Sequence, residues 1–248
     1  MKTRAVVLSS LLASAGLASN ASAANYQLDW LNYSPTAIGS PVPNGSTYFL
    51  PGAGNVTVTY NIPQSYVHAR GQVGALSNGN VPFSGDTYQW NSHENFGATS
   101  FNPANPPVTA WDITYTFQNP QPAGRIFLGV NGLGRRSDVA GATSVATVFQ
   151  NGTFIGDWGS GNWGATQFTP GAGQFAMQNS VTGIGGADPH WNTRLGVVRI
   201  DDPISSLTVR LMQAGGDGVG VNIAAVPPPG AASLAALAGL AALRRRRA

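Results

Sequence analysis

Between residues 24 and 225, apolar and polar side chains alternate with a period of two in short stretches interrupted by glycine, proline and asparagine. That spacing puts every second side chain on one face of an extended chain, so it predicts half-buried β-strands. Val56 to Ile62 (Val-Thr-Val-Thr-Tyr-Asn-Ile) alternates cleanly, and in Trp111 to Phe117 the side chains of Trp111, Ile113, Tyr115 and Phe117 share a face. Further strands are predicted at Tyr66–Arg70, Arg125–Val130, Ser144–Phe149, Thr153–Ile155, Leu195–Ile200, Leu207–Leu211 and Gly218–Ala225. Asn151-Gly152 is the pair that favours a two-residue type I′ hairpin, and Asp201-Asp202-Pro203 joins two later strands. No stretch here carries a helical period. About nine or ten strands with frequent turn signals predict an all-β fold, a single β-sandwich of jelly-roll type. No fixed short repeat suggests a β-helix. Ile38–Gly54 and Leu76–Pro107 are so rich in Pro, Gly, Asn and Ser that they are expected to be long irregular loops, where binding residues tend to lie.

The two ends follow other patterns. Met1 to Arg4 is basic, Ala5 to Leu17 is apolar, and Ala21-Ser22-Ala23 has the A-x-A form of a signal-peptidase site. Residues 1–23 are therefore read as a signal peptide, with cleavage specified by Ala21 and Ala23 and a mature chain starting at Ala24. After the predicted last strand come Val226, Pro227, Pro228, Pro229 and Gly230, an uncharged Ala/Leu run from Ala231 to Leu243, and Arg244, Arg245, Arg246 and Arg247. The prolines hold an extended segment, and the arginines favour the cytoplasmic side of a membrane. As a helix the Ala/Leu run reaches roughly 20 Å against a hydrocarbon core of about 30 Å, a gap that arginine snorkelling and local thinning reduce.

A V-P-P-P-G motif, an apolar stretch and an arginine cluster in that order resemble the PEP-CTERM sorting tail of exosortase-processed bacterial surface proteins, with Pro228 where that family usually has Glu. The resemblance implies residues 226–248 as a sorting tail and an exosortase-type enzyme and signal peptidase as processing partners. It also implies export across the inner membrane to the cell surface or extracellular matrix, initially anchored by the C-terminal helix, and a role in biofilm or exopolysaccharide.

Charge changes its meaning once the ends are set aside. The whole chain carries +3, but residues 24–225 hold seven arginines, no lysine, nine aspartates and one glutamate, a net of −3. The basic balance belongs to the ends and gives no reason to expect nucleic acid as a partner. Charged residues are only 9% of the chain while aromatics are another 9%. That is the opposite of a disordered composition. The chain has no cysteine, so no disulfide supports the core.

Candidate chemistry is sparse. Glu94, the sole glutamate, follows His93, but position 97 is Gly97, which breaks the zinc-protease pattern. A glycosidase would need two carboxyls facing a cleft, with Glu94 as general acid and an aspartate opposite. This secreted polysaccharide hydrolase is the alternative reading. No G-x-S-x-G elbow occurs. Asp188-Pro189-His190 and His68 are read as structural. Asp201, Asp202 and Asp217 are weak calcium candidates that ordinary turn chemistry also explains. No other cofactor is expected. Trp90, Trp158, Asn162, Trp163 and Trp191 lie in polar, Gly/Asn-rich stretches, where exposed indoles with nearby amides would suit a glycan, while the same rings folded inward would cap the sandwich. Trp30 and Trp111, in alternating segments, are assigned to the core. The expectation is a non-catalytic surface protein that binds carbohydrate or serves a structural role.

Overall fold

The computed structural model describes residues 23–71, 78–91, 95–100, 109–134, 143–159, 163–180, 192–213 and 218–226. The first half of the chain contributes β1 (Asn25–Gln27), β2 (Asp29–Trp30), β3 (Ser46–Leu50), β4 (Gly54–Tyr60), β5 (His68–Gly71), β6 (Asn80–Phe83), β7 (Asp86–Gln89), β8 (Asn95–Ser100) and β9 (Thr109–Gln121). The second half adds β10 (Ile126–Asn131), β11 (Val145–Val148), β12 (Gly152–Trp158), β13 (Thr166–Gly171), β14 (Gln174–Asn179), β15 (Leu195–Ile200), β16 (Ile204–Gln213) and β17 (Val219–Ala225). Among the described residues the helical element is a single 3₁₀ turn at Gln64–Tyr66.

The strands form three sheets. An outer sheet runs β13-β14-β11-β16-β9-β4-β3, and an inner sheet runs β12-β15-β10-β17-β8-β5 with β2 also on β17. A small sheet, β1-β7-β6, joins β1 to β7 in parallel. The antiparallel pairs β9·β16, β10·β15 and β11·β14 nest inside one another while the chain crosses between the two large sheets, which is a jelly-roll winding.

Burial follows the layers. Outer-sheet strands alternate, as in β16, because one face meets the core and the other meets solvent. The central inner strands do not alternate: every residue of β17 is buried, as are the first five of β10. One face of the inner sheet packs on the outer sheet through Leu128, Val198, Val221 and Ile223 against Trp111, Tyr115, Val209 and Met177. Its other face, with Trp30, Phe127, Leu195 and Val197, is covered by Val81, Tyr88 and Trp90 from the small sheet. The two large sheets are also tied through the core, where the Tyr115 hydroxyl donates to the Val221 carbonyl oxygen at 3.2 Å and lies 3.2 Å from the Tyr33 hydroxyl. Burial raises both phenol pKa values above their ordinary range, so both remain neutral donors.

Two expectations are corrected. The spans predicted as irregular contain β3, β6, β7 and β8, short strands with Gly at several of their turns, Pro82 on the edge strand β6 and Gly97 inside β8 against the Val221 backbone. Asn151-Gly152 does not make a hairpin, since β11 lies in the outer sheet and β12 in the inner one. Gly152 is required for another reason, lack of room: a Cβ there would lie 2.7 Å from Phe175 Cε1 and 2.8 Å from Val198 Cγ1. The two-residue hairpin with both central residues at positive φ is Ser84-Gly85, between β6 and β7, with φ of 52° and 89°.

Candidate functional site

The tryptophans divide. Trp90 is 2% exposed at the end of β7, edge-on to Trp30 at 5.9 Å and to Trp158 at 6.0 Å. It therefore cannot present its ring to a ligand, a correction to its place among the candidate binding residues. Its polar sequence neighbours suggested a loop, but the small sheet folds it onto the inner sheet. Trp158 on β12 and Trp163 just before β13 are half-buried and pack on the same cluster, leaving part of each ring at the surface. Trp30 and Trp111 are core residues, each 1% exposed. Asn162, Trp191, Glu94 and Asp217 lie outside the described residues, as do Ala21 and the tail from Pro227 to Arg247.

Asp157, beside Trp158, ties the two large sheets at their edge. Its Oδ2 accepts the Thr166 backbone N–H at 2.8 Å, while its Oδ1 is buried without a partner. Burial raises the Asp157 carboxyl pKa, outweighing the Thr166 hydrogen bonds and the Arg194 charge.

The calcium candidates that are described are occupied by protein donors. Asp202 accepts the Asn151 backbone N–H at 2.6 Å on Oδ2 and the Asn151 side-chain amide at 3.0 Å on Oδ1, which lowers its pKa. Asp201 accepts from Arg199 Nε at 2.8 Å on one oxygen and from the Thr153 hydroxyl at 2.6 Å on the other. The two neighbouring carboxylates serve different partners: Asp202 clamps the Asn151 turn, and Asp201 holds Arg199. Among the described residues no three acidic or histidine side chains gather around a common point.

Arg199 and Asp201 belong to a feature the sequence did not suggest. At the end of β12 opposite Trp158, where Thr153 pairs with Arg199, a cleft of about 360 Å³ opens. Tyr26, Asp86, Tyr88, Phe127, Arg199 and Asp201 line it, together with Ala123, Gly124 and Val226. Tyr26 stacks on Tyr88 with ring centroids 5.2 Å apart and planes 17° from parallel. The hydrogen bond to Asp201 raises the Arg199 pKa, so its guanidinium stays charged beside the two rings. Burial also raises the Tyr88 phenol, with the Arg199 charge opposing. Asp86 follows the Ser84-Gly85 turn, and its Oδ1 accepts the backbone N–H of Ala24 at 3.0 Å. Val226, first residue of the proposed sorting motif, donates its N–H to Arg125 at 3.2 Å and borders the same cleft. The Ser-Gly turn followed by Asp86-Thr-Tyr-Gln89 was the one available sequence signal for this hairpin.

No family model matches the chain, and neither the curated proteins nor the solved structures yield a match. What the geometry offers is a polar cleft with an aromatic wall on a three-layer β-sandwich. Among the described residues no helix is long and apolar enough to cross a membrane; the Ala231–Leu243 run lies outside them.

Proposed function

We propose that the chain is an exported surface or matrix β-sandwich that binds polysaccharide without cleaving it, with the Tyr26 cleft as its principal contact. The carrying observation is the stacked Tyr26–Tyr88 pair next to a guanidinium and a carboxylate in one cleft. Such a set suits a sugar: a ring face of C–H groups lies on the half-exposed Tyr26, and hydroxyls bond the edges of Arg199 and Asp201. The half-buried Trp158, at the far end of β12, and Trp163, just before β13, give a long polymer a second aromatic contact. The non-catalytic reading draws support from the carboxylates of the cleft, since Asp201 has both oxygens occupied and Asp86 accepts a backbone N–H. The leader-like start and the PEP-CTERM-like tail support export.

The test is a pull-down of the exported chain on bacterial and algal polysaccharides, with and without calcium, while the supernatant is assayed for reducing sugar. Binding without release is expected. Tyr26→Ala should weaken it about fivefold and Tyr26→Phe should leave it unchanged, as a stacking contribution of roughly 1 kcal/mol requires. Loss on Trp163→Ala alone would move the contact to the tryptophans. Release of sugar would replace the proposal with a hydrolase and make Glu94 the first residue to change, and absence of both would leave a structural surface protein.

A further inference from the structure

Ala24 is the residue at which the A-x-A pattern starts the mature chain, and it is held at both backbone groups. Its carbonyl oxygen accepts the Thr87 N–H at 2.8 Å, and its nitrogen lies 3.0 Å from Asp86 Oδ1. Ala23, on the other side of that peptide bond, is exposed. Only three residues of β1 follow, paired in parallel with Thr87, Tyr88 and Gln89 at the edge of the small sheet. So short an edge strand has little pairing of its own to hold it.

We propose that removal of residues 1–23 creates a terminal ion pair that locks β1 in place: the new α-ammonium of Ala24 meets the Asp86 carboxylate. This inference rests on the export reading. Hydrolysis of the Ala23–Ala24 bond consumes one water, leaves a carboxylate on Ala23 and a protonated amine on Ala24, and so converts a neutral N–H donor into a charged one at the same acceptor. A charge-assisted bond of this kind is about twice as strong as its neutral counterpart. Because Tyr26 follows two residues later and forms the exposed wall of the cleft, the same event fixes the proposed binding surface. The ionisable groups around the amine are Asp86 itself, the Tyr26 and Tyr88 phenols, and Arg199, whose charge Asp201 balances. The precursor, with an amide at this point, has the hydrogen bond without the charge.

Lys2 is the only lysine in the chain, so after processing the α-amine is the sole primary amine and an acetylating reagent modifies that one site. The exported chain is purified, its N-terminus is sequenced, and wild-type and Asp86→Asn proteins are melted before and after acetylation. Wild type should start at Ala24 and lose about 2–5 °C of Tm on acetylation, whereas Asp86→Asn, which keeps an acceptor oxygen, should lose less than 1 °C. An independent arm needs no variant: the acetylation rate of wild type against pH should report an amine pKa above the ordinary value of about 7.7–8.0. A different starting residue overturns both the inference and the cleavage site read from sequence. An N-terminus at Ala24 with equal Tm losses in both proteins, or with an ordinary amine pKa, overturns the ion pair and leaves the export reading intact.

Discussion

Trp30 lies across the inner sheet at Gly129, where a Cβ would be 2.5 Å from the Trp30 Cη2 atom and 3.0 Å from Leu195 Cδ1. Position 129 must therefore be glycine for steric reasons, in the middle of a strand where glycine is otherwise unfavourable. Gly129→Ala should push Trp30 off the sheet and lower stability by about 1–3 kcal/mol, the usual cost of overpacking, measurable by urea unfolding. Asn222, fully buried on β17, shows the same dependence on a distant neighbour. Its side-chain amide donates to the Leu31 carbonyl oxygen, 191 residues away in sequence. Neither role can be read from the sequence: a lone glycine in Ile-Phe-Leu-Gly-Val says that something approaches closely, but not that it is Trp30.

Among the elements, the edge where β12 of the inner sheet meets β13 of the outer sheet depends on Asp157. A raised folded-state pKa means that the fold disfavours the charged carboxylate. Stability from this group is thus recovered as pH falls from neutral through the raised value, and is lost as pH rises through it. Asp157→Asn keeps an acceptor for the Thr166 N–H and removes the charge. Its Tm should exceed wild type by about 1–3 °C at pH 7, with the difference closing toward pH 4, near the ordinary aspartate pKa. A variant less stable than wild type at pH 7 would show that the attraction between Asp157 and Arg194 outweighs burial. Hairpins divide in an instructive way at this scale. Asn151-Gly152 carried the stronger turn signal, yet the chain uses it to cross between sheets, while the plainer Ser84-Gly85 forms the tight turn. Turn chemistry reports that the chain can bend; the partners available to the next strand decide where it goes.

Across the whole molecule, β17 closes the fold. It is the last described strand, yet it lies inside the inner sheet, pairing with β10, β8 and β2. A chain ending at Gln213 would leave Phe127 and Leu128 without the strand they pair with and Tyr115 without the Val221 carbonyl, and it should show no cooperative melt by circular dichroism. The same closure brings Val226 to the cleft that Tyr26 lines, two residues after the proposed mature N-terminus. Period-two alternation marked the outer-sheet strands β4, β9 and β16 because a sheet with one wet face must alternate. The runs at 125–130, 195–200 and 218–225 marked strands too, and their mostly apolar character, interrupted by Arg125, Arg199 and Asn222, goes with the burial on both faces that the structure shows. Strand content and the all-β class thus followed from the sequence alone, because backbone geometry makes them properties of near neighbours. The third layer, the burial of Trp90 and the Tyr26 cleft were settled only in the tertiary structure, because whether a face is covered depends on segments far away in the chain, which no local pattern records.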